Sequence, residues 1–435
     1  AGTLKRKNHQ VDILDCVNLR LTFEEFERDV GNRDDDVIGF RVFSTDLLSV
    51  KKSLQIVREK RPDVKIILGG AHPSAFPEQT LHYFEEADYA IQGEAEKGLA
   101  DLILHLSHPD HIAKDRIAGL IWRENGAIRC NPPLFTEDLD SLGSPDWNLI
   151  SPCDYPFQTS YFTQSKIVAP LIMTRGCPYH CTFCSCRAVT GHKIRSHSVD
   201  YIIHQIKFLQ SNFGIKEVCF IDDNFLALKN LFVELCREII RQKIDIQWSC
   251  FGIRLDLVDE QILALMEKSG CYLITVGIES GSQRILDHMK KRLTLELIEE
   301  KLKLIQIKSG IKVIGNFILG YPAENEDDIR KTIKFAGKLP LYGANFFPFH
   351  PTPGTEIFNE LQTKENFIFD HRGLTGQDMK PYVPEGISRK KFTWLFTLAF
   401  ITFYLRPKVI GNVLRATKSL DKLKYIAYRT FKIIR

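Results

Sequence analysis

Short apolar segments alternate with helical patterns along the first hundred residues of the chain. Strands are predicted at residues 11–15, 37–43, 64–68 and 89–91, and helices at residues 1–6, 47–59, 77–86 and 96–106. Apolar strands separated by helices are typical of a parallel sheet with helices on both faces, whose ligands bind beyond the carboxyl ends of the strands. The pattern predicts a doubly wound, Rossmann-like α/β domain over residues 1–125. Because such a domain normally opens with a strand, we expect an N-terminal piece of it to be absent from this sequence.

The alternation resumes after residue 166, with longer helices between the strands. Six strand candidates lie at residues 167–173, 217–221, 246–251, 272–278, 313–319 and 344–349. Six βα units in a row predict a partial (β/α)6 TIM-like barrel over residues 166–360, in which chemistry takes place at the carboxyl ends of the strands. A hairpin signal at Asn125-Gly126 closes the first domain. Residues 126–165 are predicted to be a linker, and residues 361–435 a helical region.

Composition narrows the class of protein. A chain of 435 residues exceeds what one hydrophobic core usually supports, which agrees with two domains. The formal net charge of +4 is close to balance and argues against a protein that coats nucleic acid. Eleven cysteines, mostly scattered singly, do not form a disulfide framework. No apolar run reaches the roughly 20 residues of a membrane-spanning helix, so we expect a cytoplasmic protein.

The last part of the chain combines an apolar segment with a basic one. Residues 392–405 are apolar and aromatic, and the residues after them carry many lysines and arginines. Such a pattern is typical of a helix that lies on a membrane surface, so peripheral membrane contact is one interpretation. The other is a helix that packs its apolar face on the barrel and exposes a solvated basic face, and we favour this second interpretation.

Three cysteines stand close together directly after the first predicted barrel strand. Cys177, Cys181 and Cys184 are separated by three and two residues in the segment TRGCPYHCTFC. Three thiolates on one loop can hold three corners of an iron–sulfur cubane and leave the fourth iron open to an outside ligand. Zinc sites more often use two separate Cys-x2-Cys pairs, and no second pair follows downstream. The spacing therefore favours a 4Fe-4S cluster over a structural zinc ion.

This spacing, with an aromatic residue before the third cysteine, resembles the signature of the radical S-adenosylmethionine (radical SAM) superfamily. The resemblance implies that the open iron binds SAM, and that an electron from a donor such as flavodoxin or ferredoxin cleaves SAM to a 5'-deoxyadenosyl radical. That radical then abstracts a hydrogen atom from the substrate. By the same resemblance, the residues expected to bind SAM are Phe183, Asp222, Arg254, Glu279 and Ser280. Arg254 and Asp256 could equally form an ion pair at a strand end, and Cys186 is expected to be a bystander.

The first domain resembles the cobalamin-binding domain that precedes the barrel in many radical SAM enzymes. Residues 37–70, the segment GGAHP at residues 69–73 and the segment DYAIQGEAE at residues 88–96 carry this resemblance. It implies a cobalamin site at the strand ends, formed by Ser44, Thr45, Gly69, Gly70, Gly93 and Glu94. The chain has no Asp-x-His-x-x-Gly motif, so we expect no protein histidine on the lower face of the corrin ring.

Together the two resemblances imply a cobalamin-dependent radical SAM methyltransferase that acts on an unactivated carbon of a small molecule or lipid. An oxidative cyclase or rearrangement enzyme of the anaerobic porphyrin-cyclase type is the alternative within the same class. A non-catalytic, metal-binding regulatory protein is the alternative from another class, and cleavage of SAM by the reduced protein would separate it from the enzymes. A tRNA methylthiotransferase would carry further cluster cysteines in its first domain, where this chain has only Cys16 and Cys130.

Overall fold

Two sheets organise the chain in this computed structural model, which describes residues 1–155, 163–364 and 381–416. The strands of the first sheet, in order across it, are β1 (Val37–Arg41), β2 (Lys65–Gly69), β3 (Tyr89–Ile91), β4 (Leu120–Glu124) and β5 (Ala127–Cys130). The first three pair in parallel, and β4 and β5 continue the sheet as an antiparallel hairpin. The helices of this domain are α1 (Gly2–Arg6), α2 (Phe23–Gly31), α3 (Leu47–Lys60), α4 (Ala71–Ala75), α5 (Pro77–Tyr83) and α6 (Ala95–Ser107).

Alternate residues of the central strand β2 pack on opposite faces of this sheet. Ile66 and Leu68 belong to a core shared with α2 and α3, including Leu54, whereas Ile67 packs with Leu102 of α6. Successive side chains of a strand point to opposite faces, so a strand covered on both sides must be apolar at every position. The predicted doubly wound domain is confirmed by this arrangement.

Two expectations for the first domain differ from the structure. The strand predicted at residues 11–15 does not form, because the side chains of Asp12 and Asp15 accept hydrogen bonds from the backbone N–H groups of nearby residues. Such local bonds offer the backbone an alternative to a sheet ladder. In addition, β5 falls inside the predicted linker, and its pairing with β4 makes residues 127–130 part of the first sheet.

The second sheet contains six parallel strands in chain order, each within a few residues of its predicted position. They are β6 (Ala169–Leu171), β9 (Glu217–Phe220), β10 (Gln247–Ile253), β11 (Cys271–Glu279), β12 (Lys312–Leu319) and β13 (Gly343–Pro348), and the short strands β7 (Thr174–Arg175) and β8 (Arg195–Ser196) form a separate pair. Parallel neighbours follow one another from β6 to β13, with helices between them. The predicted partial TIM-like barrel is confirmed.

The long helices of the second domain cover the outer face of this sheet, whereas its short helices lie beside the cysteine loop. In chain order, the helices are α7 (Cys186–Val189), α8 (Val199–Phe213), α9 (Lys229–Arg241), α10 (Glu260–Lys268), α11 (Gln283–His288), α12 (Leu295–Lys308), α13 (Glu326–Lys338), α14 (Glu356–Gln362), α15 (Arg389–Tyr404) and α16 (Pro407–Ala416). Several begin at a side-chain cap, as Ser198 does for α8, and α8 ends at Gly214 with a φ of 62°. Glycine adopts this left-handed conformation without steric cost, which stops the helix at that point.

The apolar segment near the end of the chain forms α15, which packs on the barrel against α13 and β13. Phe392, Leu395, Ala399 and Phe403 are buried in the main core, and Tyr404 Oη donates to the carbonyl of Ala344 at 2.7 Å. The interpretation of this segment as a helix packed on the barrel is thus confirmed. The basic residues from Lys418 onward lie outside the described residues. Among the described helices, none has the length and apolarity needed to span a membrane.

We expect Phe403→Ala to lower the free energy of unfolding by about 3–5 kcal/mol, because it removes a fully buried ring and leaves a cavity. Trp394→Ala on the same helix is the matched control. Its indole is 48% exposed, and we expect its loss to cost about 1 kcal/mol or less. Urea unfolding followed by circular dichroism measures both values. Equal effects of the two substitutions would contradict the packing of α15 on the barrel.

Candidate active site

A cavity of about 470 Å³ lies between the carboxyl ends of the two sheets. The first domain contributes Gly70 and residues 93–96 to its wall. The barrel contributes the ends of its first two strands, through Ile172 and Ile221, together with residues 174–175, 189–190 and Asp223 around the cysteine loop. The edges at which ligands bind to either kind of sheet therefore face one another across a single cleft.

The three cysteines lie on the loop between β7 and α7. Burial raises the pKa of each thiol, that of Cys184 to about 11. The nearby Cys181 raises the pKa of Cys177 and of Cys184 further. In the described part of the chain, no three His, Cys, Asp or Glu side chains converge on a point suited to one metal ion. Three thiolates on one loop remain a ligand set of the kind that iron–sulfur clusters use.

Two carboxylates at the end of β9 hold both ends of the cysteine loop. Asp222 accepts hydrogen bonds from the N–H of Met173 at 3.2 Å and from the hydroxyl of Thr174 at 2.7 Å, and also from the N–H of Thr174. Asp223 accepts from the N–H of Gly176 at 3.1 Å and from the hydroxyl of Thr190 at 2.7 Å. Burial raises the pKa of Asp222 to about 6. The carboxylate of Asp222, which was predicted to bind SAM, thus forms hydrogen bonds with Met173 and Thr174, just before the loop.

Thr182, between the second and third cysteines, is held from several sides. Its N–H donates to the carbonyl of Met289 at 3.1 Å, and its carbonyl accepts from the N–H of Ile357 at 3.0 Å. Its hydroxyl lies 2.8 Å from the hydroxyl of Tyr321, which in turn lies 3.0 Å from Nδ1 of His288. The neighbouring Phe183 is partly buried against the same apolar cluster that contains Tyr321. Residues distant in sequence therefore determine the shape of the loop.

Two cations lie beside the middle cysteine. The guanidinium of Arg254 is 3.7 Å from the ring centroid of Tyr179, and its Nε and Nη2 bond Asp256 at 3.1 and 3.3 Å. Burial raises the pKa of the Cys181 thiol, and the charges of Lys291 and Arg254 oppose that shift. The ion pair between Arg254 and Asp256, which the sequence offered as an alternative to SAM binding, is thus present. The Nη1 group makes no hydrogen bond within the described residues and could still bind a carboxylate.

Lys291 is a site residue that sequence reasoning missed. Its Nζ lies 2.8 Å from Oε1 of Glu279, and both side chains are about nine-tenths buried. Glu279 has a φ of +66°, an unusual conformation for a residue other than glycine, at a bulge where β11 ends. Lys291 follows α11 in an apparently ordinary basic segment, so its place beside the loop depends on tertiary structure.

Ser280, the other residue expected to bind SAM, serves the packing of the barrel. Its side chain is fully buried, and its hydroxyl lies 3.1 Å from the hydroxyl of Thr332 on α13. The same oxygen accepts a hydrogen bond from the N–H of Ser282. The hydroxyl of Ser280 therefore links the end of β11 to α13 by a hydrogen bond. Ser280 does not line the cavity.

The six residues predicted to bind cobalamin divide into two groups. Gly70, Gly93 and Glu94 line the cavity, whereas Ser44, Thr45 and Gly69 do not. A Cβ on Gly70 would lie 2.9 Å from the carbonyl of Val42, and one on Gly93 would lie 2.7 Å from Pro133, so local packing requires both glycines. Gly69 has open space around its Cβ position. The hydroxyl of Ser44 lies 2.9 Å from Nδ1 of His72, and that of Thr45 donates to Asp46.

Glu94 joins the two domains. Its two carboxylate oxygens accept hydrogen bonds from Nη1 and Nη2 of Arg195, each at 2.8 Å, and the side chains are only 6% and 2% exposed. Arg175, two residues before the first cluster cysteine, lies 3.4 Å from Glu94 and 2.9 Å from Glu96. A bidentate arrangement of this kind fixes geometry as well as charge. The glutamate predicted to bind cobalamin therefore pairs with the barrel.

Comparison with known proteins agrees with this geometry. Residues 1–103 match the B12 binding domain, and residues 171–336 match the radical SAM superfamily. An uncharacterized methyltransferase of Pyrococcus horikoshii is 30% identical over 420 residues, which cover 94% of this chain and 87% of that protein. The chain belongs to the B12-binding radical SAM family. The family and the enzyme class predicted from the sequence are confirmed, and the non-catalytic alternative is not supported.

Other relatives of this B12-binding radical SAM enzyme differ in the reaction that their names describe. The anaerobic magnesium-protoporphyrin IX monomethyl ester cyclase of Rubrivivax gelatinosus is 26% identical over 88% of this chain and 68% of its own. The structure of the radical SAM methyltransferase TsrM from Kitasatospora setae, solved with cobalamin and a 4Fe-4S cluster, superposes with a TM-score of 0.69. It covers 93% of this chain and 85% of its own at 16% identity, so it shares the fold.

We expect Glu94→Gln to destabilise the contact between the domains by about 3–5 kcal/mol, because the buried Arg195 loses its counter-charge, whereas Arg175 keeps Glu96. Hydrogen exchange at residues 93–96 and 190–195 and urea unfolding both report this loss. The matched control is Glu137→Gln, which removes an exposed partner of Lys193 and should cost about 1 kcal/mol or less. If the two variants exchange and unfold alike, Glu94 does not hold the domains together.

Proposed function

We propose that this radical SAM enzyme binds a 4Fe-4S cluster through Cys177, Cys181 and Cys184, SAM beside that cluster, and cobalamin in the cleft between the sheets. We further propose that it methylates an unactivated carbon of a small molecule or lipid. The observation that carries this proposal is the cavity bordered by the strand ends of the B12-binding domain and by residues 174–175 and 189–190, which flank the cysteine loop. Two cofactors bound at these edges would lie on either side of one substrate.

The cluster, when bound, supplies the electron that cleaves the sulfonium of SAM, and a small redox protein such as flavodoxin or ferredoxin supplies that electron in turn. The protein's own residues support this step by charge and position. Arg254 offers its Nη1 donors to the carboxylate of SAM, and the buried Lys291 adds a second positive charge beside Cys181. Phe183 and Glu279 remain candidates for the adenosine of SAM. Asp222 and Ser280 support the loop and the strand end that present these groups.

Cobalamin, when bound, supplies a carrier that accepts a methyl group from SAM and delivers it to carbon. Gly70 and Gly93 form the wall of the first domain that would face it, and Gly69 leaves open space nearby. His72 is fully buried, and its Nδ1 lies 2.9 Å from the hydroxyl of Ser44, so this nitrogen is engaged within the domain. Glu94 holds this wall against the barrel and so sets the width of the cleft.

Methylation is favoured over oxidative cyclisation because the relative from Pyrococcus horikoshii is named as a methyltransferase and the TsrM structure is of a methyltransferase. Cyclisation is the second candidate reaction, because the relative from Rubrivivax gelatinosus is named as a cyclase. The two reactions leave different products. Methylation transfers a labelled methyl group from SAM to the product, whereas cyclisation leaves that label in methionine.

We expect the full chain, purified without oxygen and reconstituted with iron, sulfide and hydroxocobalamin, to form 5'-deoxyadenosine from SAM after reduction. Cys177→Ala should lose both the cluster and the nucleoside, because three thiolates are needed to hold the cubane. The matched control is Cys186→Ala, whose thiol lies 3.2 Å from the hydroxyl of Thr190 and should leave both unchanged. Iron content, retained corrinoid and 5'-deoxyadenosine are measured in each sample.

A protein with a full complement of iron that forms no 5'-deoxyadenosine would contradict radical chemistry. Cleavage of SAM without retention of corrinoid would keep the radical step and contradict the methyl transfer through cobalamin. Loss of the cluster in Cys186→Ala to the same degree as in Cys177→Ala would contradict the assignment of the three ligands.

A further inference from the structure

The inner face of the partial barrel carries large apolar side chains that are open to solvent. Ile172 and Ile221 are the residues directly after β6 and β9, and they are 38% and 43% exposed, while Phe347 on β13 is 50% exposed. The residue before each of them, namely Leu171, Phe220 or Phe346, is buried in the core that packs on the outer helices. Since successive side chains of a strand point to opposite faces, the exposed three point into the barrel.

Two of these side chains, Ile172 and Ile221, border the cavity between the domains. The same cavity also contains Arg175 and Thr190 of the cysteine-loop region and Gly93 of the B12-binding domain. The backbone N–H of Ile221 donates to the carbonyl of Leu171 at 2.9 Å, which keeps the two isoleucines on neighbouring strand ends. The two isoleucines therefore connect the inner face of the barrel to the cleft between the domains. The charged side chains that line the same cavity are paired: Arg175 with Glu94 and Glu96, and Asp223 with the N–H of Gly176 and the hydroxyl of Thr190.

Charge is almost absent from the strands that form the barrel. Their only charged residues are Glu217, Glu279 and Lys312. Glu217 and Lys312 begin their strands, at the edge away from the cleft, where Glu217 accepts hydrogen bonds from Tyr272 and the N–H of Ser165. Glu279, at the cleft end, forms the buried ion pair with Lys291.

One polar pair interrupts the apolar inner face. Nδ2 of Asn345 on β13 donates to Oδ1 of Asn316 on β12 at 2.9 Å. Both side chains are partly exposed, and the remaining Nδ2 of Asn316 and Oδ1 of Asn345 make no hydrogen bond within the described residues. They could meet one hydroxyl, carbonyl or amide of a ligand.

We infer that the part of the substrate that enters the barrel is an uncharged, apolar group, such as an alkyl, prenyl or aromatic moiety. Apolar walls stabilise such a group by removing it from water. An anionic group in the same place would lose its hydration, and the described part of the six barrel strands has no lysine or arginine at the cleft end to compensate it. Arg254, which follows β10, is assigned to SAM in the proposed function. This inference rests on the proposed function, and it adds the chemical class of the substrate that the barrel accepts.

The test uses the full chain reconstituted with its cluster and hydroxocobalamin, and Nile red as a neutral fluorescent probe. We expect 1-decanol to displace the probe, and decanoate, which has the same chain length and a negative charge, to bind at least about tenfold more weakly. Ile221→Asp and Phe347→Asp should each weaken decanol binding by a similar factor. Ile240→Asp is the matched control, because Ile240 is 37% exposed on the outer helix α9, and it should leave binding unchanged.

Equal or tighter binding of decanoate would overturn the inference. So would probe binding that neither Ile221→Asp nor Phe347→Asp changes. Probe binding that is seen in a parallel sample without hydroxocobalamin, and is lost in the reconstituted protein, would also overturn it, because the apolar wall would then belong to the corrin. Circular dichroism confirms that the variants fold, and 5'-deoxyadenosine is measured in the same samples. Decanol binding that depends on Ile221, in a protein that cleaves no SAM, would contradict the proposed radical chemistry and leave the apolar site standing. SAM cleavage without such binding would contradict the apolar site alone.

Discussion

The buried ion pairs of Glu94 with Arg195 and Arg175 are the interaction on which the arrangement of the two domains depends. They lie at the rim of the cleft, where the carboxyl ends of both sheets meet. A buried ion pair adds little net stability, because desolvation of the charges offsets their attraction, but it penalises every arrangement in which one partner is left alone. Such a contact therefore favours one relative position of the domains. Because Arg175 takes part in it and lies two residues before Cys177, the contact also positions the start of the cysteine loop.

The cysteine loop is positioned by groups that come from several parts of the barrel. Asp222 and Asp223 hold its two ends, Thr182 is held by Tyr321 and by backbone groups of Met289 and Ile357, and none of these groups is a predicted cluster ligand. A ligand set of this kind needs support from outside the loop to keep its geometry. The radical SAM signature is thus a local sequence feature whose shape depends on distant residues.

Most of the architecture could be predicted from the sequence, because buried parallel strands are short apolar runs and the helices between them are long. All six barrel strands were predicted, as were the three strands β1 to β3. The segment at residues 11–15 was mistaken for a strand because its apolar residues suggested a sheet, while the hydrogen bonds made by Asp12 and Asp15 could not be read from hydropathy. The hairpin around Asn125-Gly126 was also predicted, and only the domain boundary drawn at residue 125 placed its second strand, β5, in the linker.

The candidate site was harder to predict than the fold. Position at a strand end can be inferred from sequence, but the direction of a side chain and its partners depend on tertiary packing. Asp222 and Ser280 lie at the expected strand ends, yet their polar atoms are used by the loop and by α13. Glu94, predicted to bind cobalamin, lines the cavity and pairs with Arg195, a partner that the sequence did not indicate. Lys291 was missed because only the fold brings it to Glu279.

The most direct test of this account is the distance between the two cofactors, measured by pulsed electron paramagnetic resonance on the enzyme with a reduced cluster and cob(II)alamin. If the Glu94 ion pairs hold the two sheets face to face, the wild-type enzyme should give one narrow distribution of distances. That distribution should broaden in Glu94→Gln and stay unchanged in Glu137→Gln. A broad distribution in the wild-type enzyme, or an unchanged one in Glu94→Gln, would contradict the central role of these ion pairs.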